Sequence, residues 1–533
     1  MPRLKKLLQY DYLTSFLLIT FIFATKTILA ADGFTMPADA KNLIKAAEGD
    51  LVISIEPAYD YTKKNKLSLL VEISFKGDES GKTIIFIPDK FGDQPIEKCI
   101  RNIHSVTPNC TIEENGIANQ MVVNHPPRAA VTIRYEIFDV RSENGISIDS
   151  RYQPIITENY FHIFGETFFI LPMINWDREY NIRLLWKNLP KTWSIADSYG
   201  TYRTDQTIRK NLWDFRQSVF VGGSELRIIT KYIAGYPFYV ALRGNFQFSD
   251  SFMADFLWSV LQETRSFWND YKYYNYLVTV LSVEDSHAYL SEGRDNSFSL
   301  FVGPKKEFNY DIKKMIAREA FQNWLGRIIQ PEEPKQIVSW FFSGFGEYYA
   351  RLILLRANKI TLEEYVDEYN SALEQYAKSP ARSESSTQIS ADYNSNPDLA
   401  LVQFYKGDII AHNLNSAIFN YTGGKKNLDD FMRDLYSRTQ KEDLQISNGV
   451  LSALIRFYAG EKTLSEIMSS VNTGKPLKPR PDALGRCSVL KVDYTRKFWV
   501  VGEQYEVYSY VFNKNLYATN KEEFLKWFFP SGD

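Results

Sequence analysis

Hydrophobic and polar residues follow two different periods along this chain. Between residues 50 and 245, short runs are alternating or continuously apolar, and glycine, asparagine, aspartate and proline separate them. A period of two places every second side chain on one face of a β-strand, so this part predicts a large antiparallel sandwich or saddle. The predicted strands are LVISIEPAY, LSLLVEISF, KTIIFIP, QMVVNH, AAVTIRYEIF, YNIRLLW and SELRIITKYI.

The pattern changes near residue 246. SFMADFLWSVLQETRSFWNDY has apolar residues at three- and four-residue steps, which indicates a helix, and YNYLVTVLSV and NSFSLFVG then predict two strands. The segment 378–398 is polar and rich in serine, so we expect a loop there. Beyond Asn309 the chain is predicted to be mostly helical, with helices near 310–327, 336–357, 361–377, 404–420, 426–438 and 448–470.

These patterns divide the chain into four predicted parts and indicate an α+β fold. A leader at 1–31 precedes a β domain at 32–245, a mostly helical domain at 246–475 and a short α/β tail at 476–533. The tail contains the predicted strands GRCSVLKVDY and FWVVGEQYEVYSYVF and a terminal helix, EEFLKWFF. We find no internal repeat.

The first 31 residues have the order of a secretory signal peptide. Arg3, Lys5 and Lys6 give a basic start, LTSFLLITFIFA is an apolar run of twelve, and Ala30 and Ala31 offer small residues for cleavage. The run is too short to span a bilayer comfortably, and no later segment approaches the length of a membrane helix. We therefore expect a periplasmic or secreted protein whose mature chain has no transmembrane helix. An uncleaved N-terminal anchor is the alternative.

The composition limits the classes of function. Of the 533 residues, 44% are hydrophobic and 24% are charged, so the chain can bury real cores. The 34 Tyr, 36 Phe and 10 Trp residues favour β-rich structure and broad packed interfaces. A formal net charge of −2 shows no basic excess, and no nucleic-acid partner is indicated.

Three cysteines are present, and none has CxxC spacing. Cys99 and Cys110 enclose ten residues, and in an exported protein they would meet oxidising conditions, so a small disulfide loop is predicted. Cys487 would then be a buried thiol. The spacing disfavours a cysteine metal site.

Histidine offers little chemistry either. The five histidines form no HxH, HxxxH or HxxE spacing. Asp408 and His412 stand at i and i+4 of one predicted helix, which indicates a hydrogen-bonded pair, with a two-residue metal clip as the alternative. The chain also has no GxSxG, Walker or GxGxxG motif.

One helical segment has the layout of a zinc-peptidase site without the zinc ligands. In an HExxH helix, two histidines at i and i+4 hold one zinc ion, and the glutamate between them activates the metal-bound water. In DIKKMIAREAFQNWLG, Arg318 and Gln322 stand at the two histidine positions, and Glu319 stands where the general base would be. In WFFSGFGEYYARLILLR, Ser343 stands where a third-ligand glutamate would be.

At these residues the sequence resembles the glycyl-aminopeptidase-like zinc peptidases of family M sixty-one. These are gluzincins related to the thermolysin-like aminopeptidases. The family patterns HExxHxW and WxxEGFTxYYAxLLLxRxG correspond here to REAFQNW and WFFSGFGEYYARLILLRAN. FYKGDIIAHNLNSAIFNYTGGKKNLDDFMRDLY resembles the family block YYxKGxLVAxxLDxxIRxxSGGxxSLDDxMRxL, and SEGRDNSFSLFVG loosely resembles its glycine-rich substrate-edge strand. The resemblance covers about 290–470.

The resemblance implies a gluzincin-type, peptidase-like domain at 246–475 behind an N-terminal β domain. It places Glu319 at the catalytic base and Tyr405 at the tyrosine that helps to stabilise the tetrahedral intermediate. Zinc is the family's cofactor, but all three ligand positions are changed in this sequence. Arginine has no lone pair for a metal, and amide and hydroxyl oxygens are weak zinc donors, so no cofactor is expected.

Two interpretations of Arg318 remain at this stage. It fills the vacated metal position and pairs with Glu319 or Glu347, or it binds the carboxylate of a peptide or metabolite through its planar guanidinium. The altered motif is compatible with three functions. We favour an exported, catalytically inactive homologue that keeps a cleft for a peptide or protein partner. The alternatives are an active aminopeptidase or hydrolase with a non-standard metal site or none, and a purely structural interaction module.

Overall fold

A computed structural model describes residues 50–60, 66–91, 94–141, 146–271, 273–393, 395–442, 444–485, 488–496, 504–519 and 527–529. These residues form two units. Unit 1 takes in the described residues of Thr20–Ala254 and Lys272–Glu307, and unit 2 takes in those of Asp255–Tyr271 and Phe308–Asp533. The predicted signal peptide, Cys487 and most of the predicted terminal helix lie outside the described residues.

Unit 1 is built from short strands, as the alternating sequence pattern predicts. It also contains the short helices α1 (Gly165–Phe168) and α2 (Leu212–Arg216), while α3 (Asp250–Trp268) begins in unit 1 and ends in unit 2. The strands are β1 (Leu51–Asp60), β2 (Lys66–Lys76), β3 (Lys82–Phe86), β4 (Lys90–Phe91), β5 (Gln94–Pro95), β6 (Ile100–Ser105), β7 (Thr111–Glu114), β8 (Gln120–Asn124), β9 (Ala130–Ile137), β10 (Ile155–Thr157), β11 (Tyr160–Phe164), β12 (Leu171–Pro172), β13 (Glu179–Trp186), β14 (Ser194–Asp197), β15 (Gly200–Thr201), β16 (Asp205–Asn211), β17 (Val219–Gly223), β18 (Arg227–Ile233), β19 (Tyr236–Arg243), β20 (Tyr276–Ser282), β21 (Tyr289–Arg294) and β22 (Ser297–Val302).

The strands of unit 1 pair into several sheets, which are not purely antiparallel. Their strand orders are β16-β13-β1-β2-β9-β6, β10-β11-β17-β14-β15, β12-β3-β8-β7, β18-β19-β20-β22-β21 and β4-β5. β1 lies parallel to β13, and β20 lies parallel to both β19 and β22. The predicted antiparallel β domain is therefore partly mixed. The chain passes through α3 between β19 and β20, which is the crossover that a parallel pair requires.

The pairing of β19 with β20 also changes where the β-rich part of the chain ends. The sequence pattern places the end of the β domain at residue 245, but the segment with β20, β21 and β22 belongs to unit 1. The physical reason is that β20 continues the sheet of β19 through six paired residues, from Phe238 with Tyr276 to Arg243 with Leu281. Local periodicity carries no information about such a pairing.

Alternation along the strands sets which side chains form the core of unit 1. In β9, Val131, Ile133, Tyr135 and Ile137 are buried, and the residues between them are partly exposed. β13 shows the same alternation, and both strands contribute to one apolar core. Each such buried side chain stabilises the fold by about 1.5–3 kcal/mol relative to exposure.

The predicted Cys99–Cys110 disulfide is absent from the structure, which holds both residues as free thiols. Cys99 is buried, and Cys110 is half-buried against the same core. Burial raises the pKa of the Cys99 thiol to about 12, which disfavours the thiolate that disulfide formation requires.

Unit 2 is mostly helical, with one β-hairpin. None of the helices in the described part of the chain is long and apolar enough to cross a membrane. α10 is broken at Gly460, whose φ of 80° lies in the left-handed region that favours glycine. The elements are α4 (Tyr310–Gln322), α5 (Ser339–Arg356), α6 (Leu362–Lys378), α7 (Ser386–Asp392), α8 (Pro397–Tyr421), α9 (Leu428–Glu442), α10 (Asn448–Thr473), β23 (Ser488–Arg496), β24 (Gln504–Phe512) and α11 (Lys514–Thr519).

Capping residues account for two differences from the predicted helices. α7 lies inside the segment that was expected to be a loop, and a capping box between Ser385 and Gln388 starts it. α8 begins at Pro397, well before residue 404, because Asn396 caps it and proline suits the first helical position. These capping residues are polar and act only on the first turn of a helix. A search for regularly spaced apolar residues therefore does not detect them.

α5 and α8 cross at two glycines. A Cβ added to Gly344 would lie 2.1 Å from Gly407 Cα, and one added to Gly407 would lie 1.8 Å from the Trp340 carbonyl oxygen. These distances are far inside van der Waals contact, so the two backbones approach this closely only because neither glycine has a side chain.

We expect Gly344→Ala to destabilise the protein by about 3 kcal/mol, because the two helices must move apart to admit the methyl group. Gly346→Ala is the matched control on the same helix. Its methyl would meet only Arg318 Cγ, at an ordinary 3.8 Å, and alanine is favoured over glycine in a helix by about 1 kcal/mol. Denaturant unfolding of both variants measures the difference, and equal effects would contradict the close crossing.

Candidate functional site

Helices α4 and α5 carry the residues that the zinc-peptidase pattern singles out. Arg318 and Glu319 are buried on α4, and Gln322, the last residue of that helix, is half-buried. On α5, Ser343 and Glu347 are both buried and stand four residues apart. Residues at i and i+4 lie on the same face of a helix, so these two side chains point the same way.

Aromatic packing holds α4 against α5. The ring of Phe321 stacks on the ring of Tyr349 with centroids 4.7 Å apart, and both contact the Phe267 ring of α3. Aromatic pairs of this kind add about 0.5–1.5 kcal/mol beyond the area that they bury. Apolar contacts therefore help to set how α4 lies on α5, independently of the charged residues.

Arg318 and Lys314 share the carboxylate of Glu347. Arg318 Nη1 donates to Glu347 Oε1 at 3.3 Å, and Lys314 Nζ lies 3.0 Å from Glu347 Oε2. We call these three side chains the ion-pair cluster. Lys314 and Arg318 stand four residues apart on α4, so one helix face supplies both cations and α5 supplies the anion. Glu347 is one of the two partners that the sequence suggested for Arg318.

The cluster keeps its groups ionised. Burial alone would raise the pKa of Glu347, but the charges of Lys314 and Arg318 outweigh burial and lower it. Burial alone would lower the pKa of Lys314, and the Glu347 carboxylate outweighs burial and raises it. Glu347 and Lys314 are therefore both charged at neutral pH.

Two buried polar atoms beside the cluster have no hydrogen-bond partner among the described residues. They are Arg318 Nε and Ser343 Oγ, and each residue is only 3% exposed. Buried donors are nearly always paired in folded proteins. These two atoms therefore keep unused hydrogen-bonding capacity, and they belong to residues that the sequence resemblance matches to zinc ligands of the family.

Tyr405 lies on α8 and is half-buried. Burial raises its pKa, and the charges of Lys314 and Glu347 also act on it, with opposite signs. The neighbouring Phe404 ring has its centroid 5.9 Å from Arg318 Cζ. The structure therefore brings the family-matched tyrosine into the neighbourhood of the ion-pair cluster.

A second buried charge pair links α5 to α8. Arg351 Nη2 donates to Asp408 Oδ2 at 2.8 Å, and His412 Nδ1 lies 3.2 Å from Asp408 Oδ1. Tyr365 Oη lies 3.0 Å from His412 Nε2, and the Tyr369 ring stacks on the imidazole. Burial would raise the pKa of Asp408, but Arg351 and His412 outweigh it and lower that pKa to about 2. The predicted Asp408–His412 pair is confirmed, whereas no sequence signal pointed to Arg351.

A family model matches the part of the chain that contains α5 and α8. Residues 314–425 match the model of the M61 glycyl aminopeptidase family. The matched range begins in α4 and includes all of α5 and α8, so it contains both the ion-pair cluster and Tyr405. The family resemblance of the sequence is thus confirmed over this range. No curated protein matches the sequence.

Two solved structures illustrate which known folds this chain resembles. An aminopeptidase N family protein from Idiomarina loihiensis matches with a TM-score of 0.68 and 15% identity, covering 83% of this chain and 79% of that chain. An M1 zinc metallopeptidase from Deinococcus radiodurans matches with a TM-score of 0.50 and 12% identity, covering 82% of this chain and 97% of that chain. At these identities the likeness shows the fold alone.

The residues that the sequence resemblance matches to the M61 zinc ligands do not fit a zinc ion. Arg318 brings a positive charge and no lone pair, and Gln322 and Ser343 offer only neutral oxygens. The described residues also contain no group of three or more His, Cys, Asp or Glu side chains that could hold a metal. The resemblance matches Glu319 of α4 to the general base, and Asn323 Nδ2 donates to the Glu319 backbone carbonyl at 3.4 Å.

We expect Glu347→Gln to destabilise the protein by about 3 kcal/mol at neutral pH, because it leaves the buried Arg318 and the half-buried Lys314 without their carboxylate. The folded-state pKa of Glu347 is lowered. Its contribution is therefore complete above the ordinary glutamate pKa and is lost as the pH falls through the lowered value. The stability difference between wild type and variant should be largest at neutral pH and should shrink in acid.

Denaturant unfolding across a pH series measures this difference. Glu466→Gln, at an exposed glutamate of α10, is the matched control and should change stability little at any pH. A wild-type advantage over Glu347→Gln that stays constant into acid would contradict an ionised cluster.

Proposed function

We propose that this chain is an exported metallopeptidase-like protein that does not catalyse zinc-dependent peptide hydrolysis and instead binds a peptide or protein partner. The ion-pair cluster carries the proposal. The guanidinium of Arg318 is held by a buried carboxylate, and the sequence resemblance matches Arg318 to a zinc-binding histidine of the family. A zinc ion there would be repelled by that charge and would lack the imidazole and carboxylate ligands that it prefers.

The binding part of the proposal rests on what the site retains. Arg318 Nε and Ser343 Oγ are buried donors with unused capacity, and Tyr405 remains half-buried nearby. A guanidinium binds carboxylates strongly because its donors match the two oxygens. A peptide or metabolite carboxylate is therefore the ligand class that this site suits best.

We expect the purified protein to contain far less than one zinc per chain after growth with added zinc. Elemental mass spectrometry measures the content. The matched variant restores the family's ligand types through Arg318→His, Gln322→His and Ser343→Glu together. Because Arg318 faces α5 at Glu347 and Ser343 lies one turn earlier, the restored side chains should converge, and the variant should gain zinc.

Different outcomes separate the candidate functions. Wild-type zinc near one per chain, together with hydrolysis of substrates that have small N-terminal residues, would overturn the proposal in favour of an active aminopeptidase. If zinc is absent, peptide arrays probed with wild type and Arg318→Ala decide the rest. Peptide binding that Arg318→Ala weakens while circular dichroism stays unchanged supports the binding role. No peptide binding by either protein would favour a purely structural module.

Export is the remaining part of the proposal, and the order of residues in 1–31 supports it. We expect the protein recovered from the periplasm or medium of an expressing bacterium to begin at Asp32, after the small residues Ala30 and Ala31. Intact-mass spectrometry measures the mature N-terminus. A membrane-attached product that still begins at Met1 would support the uncleaved anchor.

A further inference from the structure

The C-terminal hairpin of unit 2 is a sheet of two strands, β23 and β24. The strands pair antiparallel from Ser488 with Phe512 to Arg496 with Gln504. A two-stranded sheet has two edges, and each edge presents unpaired backbone N–H and C=O groups that need partners or water. The two edges of this hairpin differ in whether another element satisfies their backbone groups.

Helix α6 occupies the β24 side of the hairpin. The Asn370 side chain donates to the Tyr510 carbonyl at 2.9 Å and accepts from the Tyr510 amide at 2.7 Å. The Tyr510 side chain is buried and stacks on Tyr369 of α6. A side-chain amide thus takes the place of a neighbouring strand at the centre of β24, so this edge is not free to pair.

The β23 edge is open in the described part of the chain. No third strand among the described residues pairs with β23. Val489, Val492 and Tyr494 are 48%, 41% and 64% exposed, which are large values for apolar residues in a strand. The strand is nine residues long. Long exposed edges with apolar side chains are the sites where sheets add another strand.

Two charged residues of β23 lie across from uncharged residues of β24. Lys491 lies across from Ser509, and Asp493 lies across from Val507. Both side chains are exposed. Lys491 and Asp493 are equally spaced on either side of Val492. If a second copy of β23 pairs antiparallel about a two-fold axis at Val492, each Lys491 comes to lie opposite Asp493 of the other copy.

The same axis also matches the three apolar residues on the other face of the strand, whereas Val489 comes to lie opposite Thr495 of the other copy. Val492 meets its own equivalent, and Leu490 comes to lie opposite Tyr494 of the other copy. Lys491 and Asp493 project from one face of the new sheet, and Leu490, Val492 and Tyr494 project from the other, because side chains alternate along a strand. A register slip by one residue would separate both sets of partners.

We propose that β23 is a homodimerisation edge, through which two copies of this chain form a continuous four-stranded antiparallel sheet in the order β24-β23-β23-β24. The interface is isologous, with the same residues contributed by both copies. Opposite charges facing each other across antiparallel strands contribute about 0.2–1 kcal/mol per pair, and the two-fold axis creates two such pairs. Charged residues on an edge strand also commonly prevent strand pairing. The test must therefore show whether Lys491 and Asp493 promote dimerisation or oppose it.

The test is sedimentation velocity of the purified protein over a range of concentrations, with two charge-reversal variants, Lys491→Asp and Asp493→Lys. We expect wild type to form a concentration-dependent dimer. Each variant alone places like charges opposite each other twice, and we expect it to weaken dimerisation by at least about tenfold. An equimolar mixture of the two variants should dimerise as wild type does, since opposite charges face each other again. The double variant Lys491→Asp/Asp493→Lys should do the same.

Lys98→Asp is the control, because it makes the same charge change at another exposed lysine, in unit 1. It should leave dimerisation unchanged. A wild type that stays monomeric at every concentration would overturn the proposal. Single variants that dimerise like wild type, or a mixture that stays as monomeric as its components, would overturn it too. Unchanged far-UV circular dichroism in the single variants shows that these outcomes report on association and not on folding.

Discussion

A charge that is buried in a protein must have a partner of opposite sign, because the interior solvates ions far less well than water does. Helix α5 meets this requirement three times along its length. Glu347 faces cations of α4, Arg351 pairs with Asp408 of α8, and Arg356 Nη2 donates to Asp429 of α9 at 2.8 Å. Each pair joins α5 to a different helix. The arrangement of the helical unit around α5 therefore depends on complementary charges as well as on apolar packing.

The chemistry of the site follows from the same requirement. Arg318 would be a costly isolated cation if nothing compensated it, and Glu347 supplies the compensating charge from the facing helix. With Lys314 on the same carboxylate, the ion-pair cluster has two cations and one anion, and its formal charge of +1 disfavours a further cation. The altered residues are thus integrated into the fold.

Much of the fold could be predicted from the sequence, and the remainder depends on long-range pairing. Strands such as β9 and helices such as α5 follow from apolar periods, because burial produces those periods directly. The parallel pairing of β19 with β20 could not be predicted, since local pattern does not name a partner strand. At the site, the motif located Arg318 and Ser343. It did not show that Lys314 shares Glu347, or that Arg351 lies against Asp408, because which neighbouring charges meet is decided by packing between helices distant in sequence.

We propose that the Arg318 guanidinium, and not a zinc ion, occupies the position that the sequence resemblance assigns to the metal of the family. Anomalous diffraction at the zinc absorption edge, from crystals grown with zinc, tests this most directly. The account predicts Arg318 within hydrogen-bonding distance of Glu347 and no anomalous peak between α4 and α5. A zinc peak about 2 Å from side-chain atoms of these two helices, with Arg318 turned away from Glu347, would contradict it.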